Sequence, residues 1–146
     1  MLIKQFATKY NLSTDTVRYY EKEGLLHPHK QDNGYRVYDV TCEHTIKFIL
    51  VLRQLGFTLQ EIKQLLTQEQ KPTSNACNQQ TVQLFSTKIT NIEQQLFFYQ
   101  QALQSLQLTQ TLMAEGKYAE NKLVIGSLIE DMYNKLQEGN VHYENT

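Results

Sequence analysis

The chain has 146 residues, of which 40% are hydrophobic and 20% charged, so it can form a core in one moderate domain or two small units. It contains no apolar run of membrane length, Met1 leads directly into an amphipathic stretch, and Cys42 and Cys77 stand far apart. This pattern argues against a membrane span, a signal peptide and a disulfide scaffold, and it favours a cytoplasmic protein.

The formal net charge of −1 hides a difference between the two halves of the chain. Residues 1–75 carry ten Lys/Arg against eight Asp/Glu, a net charge of +2, whereas residues 76–146 carry four against seven, a net charge of −3. The positive excess is slight, so any binding of nucleic acid must depend on where the cations lie rather than on bulk charge.

The first two predicted elements are short helices joined by a tight turn. Apolar residues recur at helical spacing over residues 3–10, residues 11–13 are typical of a turn, and a second helix follows until Gly24 ends it. Either Ser13 or Thr14 can accept a hydrogen bond from the free N–H groups at the start of that helix. Two short helices with a tight turn predict a helix-turn-helix.

The second helix is expected to present two polar residues away from the core. Val17 falls on one face with Tyr20 and Glu21 one turn later, which leaves Arg18 and Tyr19 pointing outwards. A guanidinium binds a phosphate through two hydrogen bonds, and tyrosine hydroxyls also bind phosphates. Taken alone, the stretch also fits a surface arginine beside core aromatics.

A short hairpin is predicted behind the two helices. Pro28 prevents the helix from continuing, and residues 30–38 are typical of two strands because Asn33-Gly34 is a strong turn signal. A hairpin behind a helix-turn-helix is a wing, and Arg36 stands where a wing would meet the DNA backbone.

Two more helices complete the predicted N-terminal half. The third spans residues 41–56 and is expected to be capped by Thr41, and the fourth is expected to start with a capping box of Thr58 and Glu61. The buried stripe of the third helix should contain Ile46, Ile49, Leu50, Leu52 and Leu55. After the fourth helix, residues 71–76 are predicted to be a linker.

A long helix over residues 77–115 is predicted next, because the stretch contains no Gly or Pro before Gly116. Its apolar residues follow alternating steps of three and four residues, with Gln110 as the one polar position of the pattern, which is a heptad seam. The seam residues are Val82, Phe85, Ile89, Ile92, Leu96, Tyr99, Leu103, Leu106 and Met113. A seam of this length needs a partner helix, most simply that of a second subunit, and the alternative is packing on its own domain. Between residues 78 and 114 the only charges are Lys88 and Glu93.

Residues 116–146 form a predicted C-terminal segment, amphipathic over residues 119–137 and polar after Gly139. Aromatic residues hint at a small-molecule pocket between this segment and the long helix, although packing is the commoner role of such residues. The residues concerned are Phe97, Phe98, Tyr118, Tyr133 and Tyr143.

Four strings in a fixed order together resemble the MerR family of transcription regulators. They are Thr16-Val17-Arg18-Tyr19-Tyr20-Glu21, Gly24-Leu25-Leu26, Asn33-Gly34-Tyr35-Arg36-Val37-Tyr38 and Leu55-Gly56-Phe57-Thr58-Leu59-Gln60-Glu61-Ile62. The resemblance implies a mostly α fold. A winged helix-turn-helix DNA-binding domain over residues 1–70 is followed by a dimerisation helix over residues 77–115 and a short C-terminal helical segment.

The resemblance also implies roles for particular residues. Arg18 and Tyr19 would grip phosphates from a helix that enters the major groove, and Arg36 and Tyr38 would be wing contacts. The expected DNA-binding residues are Thr14, Asp15, Thr16, Arg18, Tyr19, Tyr20, Tyr35, Arg36 and Tyr38. The long helices of the homodimer would pair antiparallel.

In the resembled family, the effector-bound dimer bends and untwists a promoter whose elements are spaced too far apart, so that RNA polymerase engages both. The resemblance therefore implies double-stranded DNA with a near-palindromic operator as the partner. The alternative is a constitutive repressor or architectural DNA-binding dimer without a small-molecule effector. No glycine-rich phosphate loop, nucleophile elbow or pair of catalytic carboxylates is present, so neither an enzyme nor a cofactor is expected.

The cysteines bear on the effector. Family members that sense soft metals use a cysteine at the start of the dimer helix and a cysteine pair beyond its end. Cys77 stands near the first position, but no cysteine follows it. Another branch of the family, which resembles aldehyde and redox sensors, carries one cysteine in the third helix, in the stretch that corresponds to residues 48–51. Here that stretch contains no cysteine, and Cys42 lies before it. The sequence therefore predicts no metal site, and a small organic effector near the aromatic C-terminal segment. Cys77 also fits a packing role.

Overall fold

The computed structural model describes residues 1–69 and 75–139, and its elements confirm the mostly α fold class. They are, in chain order, α1 (Ile3–Lys9), α2 (Thr14–Lys22), β1 (His29–Lys30), β2 (Arg36–Val37), α3 (Val40–Gln54), α4 (Leu59–Glu69), α5 (Asn75–Ala114) and α6 (Lys122–Gly139). The chain divides into two compact units, Met1–Gln83 and Leu84–Thr146.

The first two helices form the predicted helix-turn-helix. Asn11 takes a positive φ of 54° in the turn, a conformation that asparagine tolerates better than most residues. Of the two candidate caps, Ser13 is the one used, and its Oγ accepts from the backbone N–H of Thr16 at 3.0 Å. This cap fixes where α2 begins and therefore which of its residues face outwards.

The core of the first unit is apolar and aromatic. The rings of Phe6 and Tyr38 stack with centroids 4.8 Å apart, which joins α1 to the residue after β2. The buried residues are Phe6, Ala7, Val17, Tyr20, Leu25, Leu26, Tyr38, Cys42, Ile46, Ile49, Leu52, Phe57, Ile62 and Leu65. All elements from α1 to α4 contribute to this core except the two short strands.

The predicted wing is confirmed as an antiparallel hairpin in which His29 pairs with Val37 and Lys30 with Arg36. Gly34 takes a φ of 84° at its tip, and Asn33 Oδ1 accepts from the backbone N–H of Tyr35 at 3.1 Å. These are the two properties that made the Asn-Gly pair a turn signal.

The cap of the third helix was predicted wrongly. Asp39, not Thr41, precedes the helix in extended conformation, and its Oδ1 accepts from the N–H of Cys42 at 3.0 Å. A carboxylate is the stronger acceptor, and its charge also suits the positive end of the helix. Its Oδ2 lies 2.8 Å from Nε2 of His29, so the same carboxylate connects α3 to the wing. The hydrogen bond from Cys42 holds the pKa of Asp39 below its ordinary value.

The buried stripe of α3 is also narrower than predicted. Ile46, Ile49 and Leu52 are buried, but Leu50 is half-buried and Leu55 is 44% exposed. Leu55 lies at the C-cap, where the chain turns out of the helix.

Removing the Asp39 carboxylate should destabilise the first unit. We expect Asp39→Ala to lower the melting temperature by roughly 5 °C, because it removes a helix cap from a small domain. Asp39→Asn keeps an acceptor for Cys42 and should melt closer to wild type. Because the pKa of Asp39 is lowered by folding, its stabilisation is present above the unfolded pKa and is lost as the pH falls through the folded value. Melting curves by circular dichroism against pH check this, and equal melting of all three proteins would contradict it.

The predicted capping box of α4 is confirmed. The N–H of Thr58 donates to Glu61 Oε1 at 2.8 Å, and the N–H of Glu61 donates to Thr58 Oγ1 at 3.1 Å. Of the predicted linker 71–76, residues 71–74 lie outside the described residues and the last two belong to α5. Thr81 of α5 donates to Gln68 of α4 at 2.5 Å, which ties the first turns of α5 to the first unit.

The second unit contains the rest of α5 and the helix α6. Gly116, with a φ of 70°, ends α5 as predicted, and the N–H of Lys117 bonds the carbonyl of Leu112 at 2.8 Å. The ammonium of Lys135 lies 4.7 Å from the centre of the Phe97 ring, so α6 folds back against α5. In the described ranges, no helix is both long and apolar enough to span a bilayer.

Candidate nucleic-acid interface

The outward face of α2 carries the residues that the sequence assigned to phosphates. Val17 and Tyr20 are buried, whereas Tyr19 is 48% exposed and the Arg18 side chain is 63% exposed. Nη1 of Arg18 lies 3.3 Å from Oδ1 of Asp15, whose side chain is 91% exposed. An ion pair this open to water is weak, so the guanidinium can exchange it for a phosphate at little cost.

The first turn of α2 holds the predicted base-reading residues. Asp15 is exposed, and Thr14 and Thr16 are half-buried. Oγ1 of Thr16 lies 2.8 Å from Oγ of Ser13, so the helix cap fixes the Thr16 side chain. Ordered polar side chains at the start of a helix are what a helix in the major groove requires.

A groove of about 730 Å³ separates α1, α2 and the wing. The side chains that line it include four cations and one carboxylate, so positive charge is concentrated here although the whole chain is slightly acidic. The lining residues are Leu2, Ile3, Lys4, Gln5, Arg18, Glu21, Lys22, Gly34, Tyr35, Arg36 and Tyr38. Nucleic-acid binding by this chain requires cations that are grouped on one surface, and this groove has such a group.

The wing is attached to α2 by one carboxylate. Oε1 of Glu21 accepts from Nε of Arg36 at 2.5 Å, and Oε2 accepts from the hydroxyl of Tyr38 at 3.4 Å. Burial, and after it the charge of Glu21, raises the pKa of Tyr38 to about 12, so this hydroxyl remains a donor at neutral pH. The predicted wing residue Arg36 and the predicted helix residue Arg18 line the same groove.

Two of the predicted DNA-binding residues are buried in the free chain. Tyr20 and Tyr38 are only 8% and 1% exposed, so in the free chain their rings form part of the core. The family resemblance implied that Tyr38 is a wing contact like Arg36, but the strand ends at Val37 and the Tyr38 ring stacks on Phe6. Tyr35 is 63% exposed at the wing tip, as its prediction requires.

Two groove cations, Lys4 and Lys22, were missed. Lys22 follows Arg18 by four residues on α2, so helical spacing was a signal that could have found it. Lys4 lies on α1, and the packing of α1 on α2 and on Tyr38 brings it to the groove. No local pattern could have shown that.

The buried thiol of Cys42 behaves as a packing group. It is 2% exposed, and burial raises its pKa, so it is a protonated thiol at neutral pH. The side chain of Cys77 lies outside the described residues. Within the described ranges, no three His, Cys, Asp or Glu side chains are grouped so as to hold a metal ion.

All nine predicted seam residues of α5 are exposed in the single chain, from 36% for Ile92 to 69% for Leu106. Four of the five aromatic residues of the predicted effector region are described, and they are spread along the second unit. Phe97 contacts Lys135, and Phe98 meets Tyr99 edge to face at 5.7 Å. Tyr118 and Tyr133 are 37% and 55% exposed, and in the described ranges no ring contact joins any two of the four. Tyr143 lies outside the described residues.

Comparison with known proteins gives matches along most of the chain. The family model described as MerR HTH family regulatory protein matches residues 1–69, and the model described as MerR, DNA binding matches residues 43–109. The HTH-type transcriptional regulator HmrR of Rhizobium leguminosarum is 36% identical over 66% of this chain and 73% of its own length. The regulator ZntR of Escherichia coli is 31% identical over 72% of this chain and 74% of its own length.

Two further similarities concern a heavy-metal regulator and a solved complex. A probable heavy metal-dependent transcriptional regulator of Haemophilus influenzae is 35% identical over 73% of this chain and 83% of its own length. A chain from a cryo-EM structure of an EcmrR–DNA complex matches with a TM-score of 0.46 and 28% identity, over 76% of this chain and 40% of that chain.

Proposed function

The chain belongs to the MerR family of DNA-binding transcriptional regulators, and from that premise we propose that it acts as a homodimer on a near-palindromic promoter operator. The observation that carries the proposal is that one chain has two kinds of surface. One is the cationic groove between α2 and the wing, and the other is the exposed apolar seam of α5.

The seam supports a dimer through its length and its exposure. A helix of 40 residues is about 60 Å long, and its seam would leave a large apolar area in water if the chain were alone. A second copy offers an identical seam, and antiparallel pairing of the two helices would cover both. Since only Lys88 and Glu93 are charged between residues 78 and 114, apolar packing rather than ion pairs would select the partner.

A two-fold dimer presents two copies of α2 and the wing. Two symmetric helices require two inverted half-sites, spaced by one helical turn of DNA or a multiple of it. Arg18, Tyr19 and Arg36 would contact phosphates, while Thr14, Asp15 and Thr16 would face base edges at the start of the helix.

Distortion of the duplex is the proposed mechanism of regulation. The dimer would bend and untwist a promoter whose elements are too far apart, so that RNA polymerase in the cytoplasm engages both. The protein itself needs no contact with the polymerase for this effect, because the change is made in the DNA.

The proposed effector is a small organic molecule bound near Phe97, Phe98, Tyr118 and Tyr133. The heavy-metal dependence in the relative's name belongs to that protein, and in this chain no cysteine follows Cys77. Thiolates are the ligands that select soft metals, and a tight closed site needs at least two of them. Loss of a copper, zinc or electrophile response in a Cys42→Ser, Cys77→Ser double variant would contradict this part of the proposal.

Selection of duplexes from a random library tests the DNA-binding part. We expect a near-palindrome with two half-sites, bent on binding as seen by the mobility of circularly permuted fragments. Thr16→Ala should change the preferred bases, since it removes a hydroxyl at the start of α2. Enrichment of a single asymmetric half-site, or of no sequence, would contradict the proposal.

A further inference from the structure

Glu21 is the acidic side chain of the groove, and it joins the wing to the helix that carries Arg18. Both carboxylate oxygens are used, one by Nε of Arg36 at 2.5 Å and the other by the hydroxyl of Tyr38 at 3.4 Å. The Glu21 side chain is 22% exposed and that of Arg36 is 54% exposed. A carboxylate near a phosphate backbone is repelled by it, so its place among four cations calls for a physical reason.

The wing is too short to order its own side chains. Each strand has two residues, and a two-stranded hairpin of this size is marginal in water. Tyr38 fixes its base, because the ring stacks on Phe6 and the backbone exchanges two hydrogen bonds with Met1, at 3.1 and 2.8 Å. Arg36 lies beyond this base, and among its described contacts Glu21 is the one that restrains its long side chain.

Resting on the DNA interface proposed above, we propose that Glu21 is a positioning residue that orders the Arg36 guanidinium before DNA binds. The hydrogen bond uses Nε–H, which leaves the two terminal nitrogens of the planar guanidinium for a phosphate. An arginine that is already ordered loses less conformational entropy on binding than one that is free. The same carboxylate accepts a hydrogen bond from the hydroxyl of the buried Tyr38. Glu21 therefore connects the Arg36 guanidinium to a side chain that is fixed in the core.

Charge alone predicts the opposite sign. If Glu21 acted only through its charge, removing it would strengthen DNA binding, because one repulsive group would be lost. Positioning predicts that removing it weakens binding. The two explanations are therefore separated by the direction of one affinity change.

The test is a double-mutant cycle on a duplex selected from the random library. We expect Glu21→Ala to weaken binding about three- to tenfold, the size expected from losing the order of one arginine side chain, and Glu21→Gln, which keeps an acceptor, to weaken it less. In an Arg36→Ala background Glu21→Ala should cause no further weakening. Glu23→Ala is the matched control, since it removes the same charge from the end of α2 without lining the groove. In the free protein, nitrogen-15 relaxation of Arg36 Nε should show greater mobility in Glu21→Ala. All measurements are made at a temperature where both proteins are folded, because the variant also loses the acceptor of the buried Tyr38 hydroxyl.

Other results would contradict either the positioning role of Glu21 or the DNA interface itself. Binding by Glu21→Ala that equals or exceeds wild type overturns the positioning role, and so does an equal loss in the Arg36→Ala background. If Arg18→Ala and Arg36→Ala both leave affinity unchanged, the DNA interface itself is wrong. If both weaken binding and Glu21→Ala does not, only the positioning role is wrong.

Discussion

Replacing Leu96 with glutamate should convert the protein from a dimer to a monomer at micromolar concentration. Leu96 is 57% exposed in the single chain and lies in the middle of the seam of α5. In a paired seam it would be covered, and a dimer contains two copies. Burial of an unpaired carboxylate in an apolar interface costs several kcal/mol, which is enough to dissociate a helix pair of moderate affinity. Sedimentation velocity measures the change directly.

The control for this experiment lies two residues away. Gln94 is exposed and falls on the opposite face of α5 from the seam, so Gln94→Glu adds the same charge without entering the interface. It should remain a dimer. A wild-type protein that sediments as a monomer at micromolar concentration would contradict the dimer, and an unchanged dimer in Leu96→Glu would contradict the assignment of the seam.

The elements that the sequence predicted well are those whose signals are local. Gly34 at the wing tip and the Thr58–Glu61 capping box need only a few neighbouring residues, and the structure has both. The exposed seam of α5 follows from a heptad period that is sustained from Val82 to Met113 and marked by nine apolar residues. Predictions from such local patterns are reliable where no contact with a distant residue favours another conformation.

The elements that were missed depend on contacts distant in sequence. Asp39 forms the N-cap of α3 partly because its other carboxylate oxygen lies 2.8 Å from His29 of the wing. Tyr38 is buried because its ring stacks on Phe6, which lies far earlier in the chain. Lys4 reaches the groove only through the packing of α1. The periodicity of a single helix or strand does not reveal contacts between residues that are distant in sequence. The sequence therefore predicted the location of the candidate site but not all of its residues.

Replacing Arg18 with alanine should weaken binding to every duplex, by about tenfold or more, because a charge-assisted contact to phosphate is lost from each protomer. Its pairing with Asp15 is long and solvent-exposed, so the variant should fold as well as wild type. The dependence of the binding constant on salt should also flatten, by about one unit of log–log slope for each protomer.

Two control variants separate this contact from bulk charge. Arg18→Lys keeps the charge but loses the planar fork, so it should retain the salt slope while losing part of the affinity. Lys117→Ala removes one positive charge from the turn after α5, outside the unit that contains the groove, and should change neither quantity appreciably. Binding titrations at several salt concentrations measure all three proteins. If Arg18→Ala keeps both the affinity and the slope of wild type, then the exposed face of α2 is not the surface that meets DNA.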